Sequence, residues 1–242
     1  MLKITRFTCE NLESGCVTDR ANPCFSYTVF SDRENAAVKS AVLSVNGCEI
    51  HTTKQVGITY EGKSLEPFTS YEAKLLVTDT SGETAAASLR FETGRMEEKW
   101  RGEWISDASY HFTEKKVSPK PMTFRKLFSL EKRIASAKIY ATALGIYELS
   151  LNDKKVGDRY FAPGFTSYKS LLQYQCYDIT DLLEKNNTLY ATVAGGWAVG
   201  SFVFTRKNRI SADRQALLME IRIEYEDGSV EVIGTDESWG VT

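Results

Sequence analysis

At 242 residues, with 42% hydrophobic and 26% charged residues and a formal net charge of −2, the chain has the make-up of a globular protein with room for two small cores or one large one. Acidic and basic residues are near balance both in the first 94 residues and in the rest; neither part is a polycation that would track phosphates, so nucleic acid is not an expected partner. There is no run of about 18 apolar residues to span a bilayer, and the N-terminus lacks the apolar stretch of a secretion signal, which gives the expectation of a cytoplasmic protein with no membrane partner.

Residues 1–94 read as short strands. Phe25, Tyr27 and Val29 alternate with polar neighbours, as do Ala41, Leu43 and Val45, and again Ala73, Leu75 and Val77. Turn formers such as Asn46-Gly47 and Ser81-Gly82 separate the runs, a spacing that predicts an antiparallel sandwich. In LEPFTSY, Leu65 to Tyr71, a Leu and a Pro precede a Tyr entering a strand. This resembles the tyrosine corner of fibronectin type III domains, where the phenol bonds back to the connecting backbone, and it assigns Tyr71 a structural role. Cys9, Cys16, Cys24, Cys48 and Cys176 are odd in number and without CxxC spacing, which predicts reduced thiols over a disulfide framework.

Residues 95–103 are charged and without strand period, so a linker is expected there, and Trp104 begins a second domain, 104–242. A long surface loop is expected from Asp107 to Pro121, then a strand with Phe124 and Phe128 on one face. Ala137, Ile139, Ala141 and Ala143 form one face of the next strand, and Tyr147, Leu149 and Leu151 one face of another. Thr180 is the expected N-cap of a short helix. Leu189, Ala191 and Val193 alternate into a Gly195-Gly196-Trp197 loop, and Leu217 to Tyr225 alternates into a two-residue Asp227-Gly228 hairpin turn. With no helical period of any length, the architecture is all-β: a fibronectin type III/immunoglobulin-like sandwich followed by a larger, jelly-roll-like β-sandwich.

Five phrases, ATALGIYELSLND, VGDRYFAPGFTSY, LQYQCYDITDLL, AGGWAVG and EYEDGSVEVIGTDESW, together resemble the N-terminal domain of bacterial α-L-rhamnosidases. The first 94 residues are similar to the fibronectin type III-like module that leads into that domain. The resemblance implies a non-catalytic N-terminal portion of a glycoside hydrolase, because the family's hydrolysis belongs to a later α-helical barrel whose acidic residues act as general acid and base with inversion. It implies that catalytic domain as partner. In some members a related domain binds L-rhamnose with a calcium ion, which implies a rhamnose-containing carbohydrate and calcium as candidate ligands. The sequence departs from the family pattern at Asn152-Asp153, commonly Asn-Gly; at Phe165, commonly Trp; and at Gly195 to Ala198, commonly an acidic or amide residue followed by Gly-Trp-Tyr.

Glycoside hydrolysis needs two carboxyls facing each other across the scissile bond. Glu148, Asp153, Asp158, Asp178 and Asp181 qualify by type only, and turns and helix starts account for the four aspartates, so no catalytic residue is expected. Sugars are held by aromatic faces together with side chains that hydrogen-bond hydroxyl pairs. Asn152, Asp158, Tyr160, Tyr168 and Trp197 supply that set, in loops that could converge at one end of the sandwich. The competing reading has Tyr160, Phe161 and Phe165 closing the core or docking on the barrel. Asn152, Asp153 and Asp158 place several oxygens in one loop for calcium, but a hairpin turn uses the same residues. Three functional readings follow: support of the catalytic domain, an autonomous carbohydrate-binding module for L-rhamnose or a related sugar, and a structural, self-associating β-protein.

Overall fold

The period-two alternation becomes strand after strand in the computed structural model, which describes residues 1–110, 119–201 and 207–242. The chain divides into two units, Met1–Lys99 and Trp100–Thr242, each with its own core. Residues 95–103 are shared between them. Arg95 is buried in the first unit, donating from Nη2 to the Glu98 carbonyl at 3.0 Å. The Arg101 and Glu103 amides donate to Glu220 Oε2 (2.8 Å) and the Thr235 carbonyl (2.7 Å) in the second.

The first unit contains β1 (Leu2–Cys9), β2 (Cys16–Thr18), β3 (Cys24–Ser31), β4 (Val38–Val45), β5 (Cys48–Thr52), β6 (Ile58–Thr59), β7 (Ser70–Asp79) and β8 (Thr84–Thr93). A three-stranded sheet, β1-β3-β6, and a five-stranded sheet, β2-β8-β7-β4-β5, bury Phe25, Tyr27, Leu43, Leu75 and Phe91. Phe91 meets Phe25 edge-on at 5.5 Å and stacks with Tyr71 at 5.6 Å. The Tyr71 hydroxyl accepts the Glu66 amide at 2.8 Å, the backbone tie that the LEPFTSY segment predicts. Asn46-Gly47 joins β4 to β5 with φ of 46° and 74°, the doubly left-handed turn that matches strand twist.

The second unit runs β9 (Met122–Ser129), β10 (Ile134–Leu144), β11 (Ile146–Leu151), β12 (Lys154–Val156), β13 (Gln175–Asp178), β14 (Asn186–Ala194), a single helical turn α1 (Gly196–Val199), β15 (Ala216–Tyr225), β16 (Val230–Gly234) and β17 (Gly240–Val241). Its sheets are β13-β10-β15-β16 and β12-β11-β14-β9-β17. The predicted inward faces are all there: Ala137, Ile139, Ala141 and Ala143 from β10, Tyr147, Leu149 and Leu151 from β11, Leu189, Ala191 and Val193 from β14, and Leu217, Met219, Ile221 and Ile223 from β15.

Three local expectations fail for identifiable reasons. Thr180 is not a cap but the first residue of a 3-10 turn, Thr180–Leu182, because its hydroxyl is engaged elsewhere: it accepts the Ala137 amide (2.9 Å) and lies 2.7 Å from Asp178 Oδ1. Gly196 and Trp197 open the helical turn α1, with Gly195 as its N-cap, and do not form an open loop. The Glu226–Gly228 connection has three residues, since the Tyr225 amide bonds Ser229 O and the Gly228 amide returns to Tyr225 O, both at 2.9 Å. Only Gly228 there has positive φ (80°), so the two left-handed centres of a two-residue turn are not available. The loop expected over Asp107–Pro121 falls largely on residues 111–118, outside the described residues.

Candidate carbohydrate or docking site

The five proposed sugar-binding residues separate into two groups. Asn152 sits with Asp153 in the two-residue turn between β11 and β12, both left-handed (φ 51° and 62°), a conformation that Asn and Asp tolerate better than other side chains. Its amide makes three hydrogen bonds inside the module. Nδ2 donates to the Leu182 carbonyl and to Asn187 Oδ1, and Oδ1 accepts the Thr188 amide, each at 2.9 Å. Asn187, buried, completes the knot by bonding the Glu184 amide (2.8 Å) and carbonyl (2.7 Å). Asn152 thus ties the turn to Leu182 and to the start of β14, with both its N–H donors used inside the module. No group of three or more His, Cys, Asp or Glu that could hold a metal ion is found among the described residues.

The second group lies along residues 157–168 and α1. Trp197 is half-buried at α1, and Phe161 and Phe165 meet it edge-on at 5.9 and 6.1 Å between ring centroids. Phe165 also contacts Tyr168 at 6.3 Å. Such edge-on pairs stabilise each other by about 0.5–1.5 kcal/mol beyond burial. Phe161 and Phe165 nevertheless remain 60% and 62% exposed; neither closes the core, contrary to one of the sequence readings. Tyr160 is 71% exposed, and the Lys155 ammonium stands 4.1 Å from its ring centroid.

The sequence holds this loop against the sandwich through Tyr147. Its backbone amide donates to the Ala162 carbonyl at 2.8 Å, and its phenol, inside the core, lies 2.8 Å from Gln175 Oε1 and 3.3 Å from the Tyr177 hydroxyl. Gln175 Nε2 in turn donates to the Pro163 carbonyl at 3.0 Å. Burial pushes the Tyr147 phenol far above the ordinary tyrosine range, so it stays a neutral donor. Gly157, at φ 73°, leaves room for Tyr177: a Cβ there would fall 2.4 Å from the ring. Anchored this way, Phe161 is held at φ 57° with its ring outward. Left-handed backbone at a bulky residue costs of order 1–3 kcal/mol and persists where the surroundings enforce it.

The polar groups next to the rings are mostly spent on the loop itself. The Tyr168 hydroxyl donates to the Gly164 carbonyl at 3.0 Å, and the Thr166 hydroxyl to the Leu171 carbonyl at 2.6 Å. Asp158 is exposed. Of the carboxylates that qualify by type, Glu148 faces Lys155 at 3.6 Å and Asp178 accepts the Thr180 amide at 2.9 Å. What faces outward is the Phe161 and Phe165 rings together with Asp158, Arg159 and Tyr160. Tyr160, Tyr168 and Trp197 were legible as an aromatic set; Phe161 and Phe165 also belong to its exposed part.

These two modules, an immunoglobulin-like sandwich and a two-sheet sandwich carrying exposed aromatic rings, define an all-β, two-sandwich protein. Residues 4–97 match the family described as Rha78A-like, N-terminal immunoglobulin domain, and residues 132–242 match the Alpha-L-rhamnosidase N-terminal domain. An α-L-rhamnosidase of Formosa agariphila is 28% identical over 199 residues, 79% of this chain and 22% of the relative. Among solved structures, α-L-rhamnosidases from Aspergillus terreus (TM-score 0.90, 26% identity, 100% of this chain) and Dictyoglumus thermophilum (TM-score 0.88, 28% identity, 99% of this chain) share the fold. The chain thus carries an α-L-rhamnosidase N-terminal domain at residues 132–242, preceded by a Rha78A-like immunoglobulin domain at 4–97. It spans 22% of the F. agariphila relative's length and 29% of each of those two solved chains.

Proposed function

We propose that this chain acts as the non-catalytic N-terminal portion of an α-L-rhamnosidase and supports its catalytic domain, with the second module meeting that partner through Phe161, Phe165 and Trp197. The observation that carries the reading is the exposure of Phe161 and Phe165, packed edge-on against a half-buried Trp197 in a loop whose Thr166 and Tyr168 hydroxyls are bonded to its own backbone: such rings gain more from an apolar protein surface than from sugar hydroxyls. The similar rhamnosidase structures, of which this chain spans 29%, have room for such a partner in the remainder of their length. The carbohydrate reading keeps Tyr160, Asp158 and Trp197, and one experiment separates the two. The chain is purified alone, assayed on an aryl α-L-rhamnoside, and mixed with a separately expressed α-L-rhamnosidase catalytic domain. No turnover alone, complex formation by light scattering, and weakening of the complex by Phe165→Ser are expected. Turnover that co-purifies with the chain defeats the non-catalytic reading. A saturable change in Trp fluorescence on adding L-rhamnose, without complex formation, favours the carbohydrate module.

A further inference from the structure

A strand edge in the first module has no part in that reading. β5 ends the five-stranded sheet, and among the described residues β4 is its one strand partner. Such an edge presents a row of amides and carbonyls that can template pairing with another chain. β1 and β16, edge strands of eight and five residues, are guarded: β1 is broken by a bulge between Ile4 and Arg6 and carries Lys3 and Arg6, and β16 ends so close to Gly102 that a Cβ at Gly234 would fall 2.7 Å from its Cα. β5, Cys48 to Thr52, has no bulge, proline or lysine. Its pairing with β4 decides which groups face out. The two-residue turn Asn46-Gly47 closes on a hydrogen-bonded Val45–Cys48 pair, and from there bonded and non-bonded pairs alternate. Leu43–Ile50 and Ala41–Thr52 are therefore bonded, and the amides and carbonyls of Glu49 and His51 point away from β4. Cys48, Ile50 and Thr52 are half-buried on the core side, where Cys48 and Ile50 pack against the core, and Glu49 and His51 are exposed on the other.

We propose that β5 is a self-association edge, to which a second copy of this chain adds antiparallel, joining the two five-stranded sheets in a two-fold dimer. The edge itself selects the register. Only residues whose backbone groups face outward can bond across the axis, so the axis passes beside Glu49, Ile50 or His51. Centred on Ile50, Glu49 stands opposite the partner's His51 and His51 opposite the partner's Glu49, with backbone bonds in both directions at each pair. Each carboxylate then faces an imidazole. Carboxylate and imidazole already share one face within the strand, where His51 Nε2 lies 3.8 Å from Glu49 Oε2, and the two-fold repeats that match across the edge. On the core side Ile50 meets its own copy and continues the apolar layer. Centred on Glu49 or on His51, the same strands set like side chain against like, carboxylate against carboxylate in the first case, which is unfavourable.

The test is sedimentation equilibrium of the purified chain at neutral pH, from low to high micromolar concentration. A concentration-dependent shift from monomer to dimer is expected. His51→Pro removes the outward amide of His51 and leaves the bonds to β4 in place, so it should weaken the dimer about 30-fold through the loss of two backbone hydrogen bonds. Glu49→Lys changes an exposed side chain, sets an ammonium against the partner's His51, and should weaken the dimer roughly tenfold. Adding His51→Glu to Glu49→Lys should restore it, which a misfolded variant could not do. Phe165→Ser, in the second unit, should leave the dimer unchanged. A chain that stays monomeric throughout overturns the proposal. So does a dimer that survives both His51→Pro and Glu49→Lys, one that is lost in Phe165→Ser, or a double variant that does not recover.

Discussion

Replacing Asn152 by Gly removes a side chain while leaving its turn intact, because Gly accepts the φ of 51° that Asn152 adopts. What is lost is the set of three hydrogen bonds to Leu182, Asn187 and Thr188. Each is worth about 1 kcal/mol net, and Asn187, buried, is left with an unpaired oxygen lobe, so the expected cost is about 2–4 kcal/mol. Asn152→Ala should cost roughly 1 kcal/mol more, since it adds a Cβ at a left-handed position. All four tryptophans, Trp100, Trp104, Trp197 and Trp239, lie in the second unit, so Trp fluorescence follows its urea unfolding without contribution from the first. With a urea slope of about 2 kcal/mol per M, the midpoint should fall by roughly 1–2 M. An unchanged midpoint would refute the internal role and return Asn152 to the pool of surface ligands.

Further outcomes follow from the same structure. Gly157→Ala should destabilise the second unit by about 2–4 kcal/mol, from left-handed strain plus the clash with Tyr177, and should alter Trp197 emission as the aromatic loop loosens; a silent variant would mean that Tyr177 has another position to occupy. Tyr71→Phe should cost the first unit about 1 kcal/mol by freeing the Glu66 amide, measured by Tyr and Phe near-ultraviolet circular dichroism during denaturation. Burial and the nearby Glu231 carboxylate push the Tyr225 phenol up to about 12. The folded state therefore holds that proton more tightly than the unfolded chain, so its contribution is complete below about pH 10 and is lost as pH rises from there to about 12. Urea midpoints across that window should drop less steeply in Tyr225→Phe. At the acid end, Asp79, Asp227 and Asp236 are held below the usual carboxylate range, each first by a neighbouring serine hydroxyl. Their contribution is present above about pH 4 and fades as pH falls.

Much of the fold is written locally. A strand buried on one face must alternate, so the inward sets of β10, β11, β14 and β15 can be read directly, as can the tie between Tyr71 and the backbone ahead of it. The site is written less locally. The partners of Asn152 lie 30 to 36 residues away, and no spacing rule separates an amide committed to such partners from one offered to solvent. Phe161 and Phe165 look like core because large aromatics usually are; a positive φ at Phe161, enforced by Tyr147 and Gln175 from distant strands, sends them outward. The connection at Glu226–Gly228 is an intermediate case: Asp-Gly marks the turn, but backbone pairing at Tyr225 and Ser229 decides its length.

The pairing of β9 with β17 also bears on the order in which the protein can assemble during synthesis. Phe124 and Arg125 pair with Val241 and Gly240, and Thr123 exchanges both backbone bonds with Thr242. The first module has every strand in hand once residue 93 is made, and from then on it can fold ahead of the ribosome. The second must wait for its closing strand about 115 residues after β9, which at ordinary translation speeds of roughly 5–20 residues per second is about 6–25 s. Through that interval β9 keeps one row of amides and carbonyls unmatched. The nascent chain is then most open to wrong strand partners, and to assistance from chaperones.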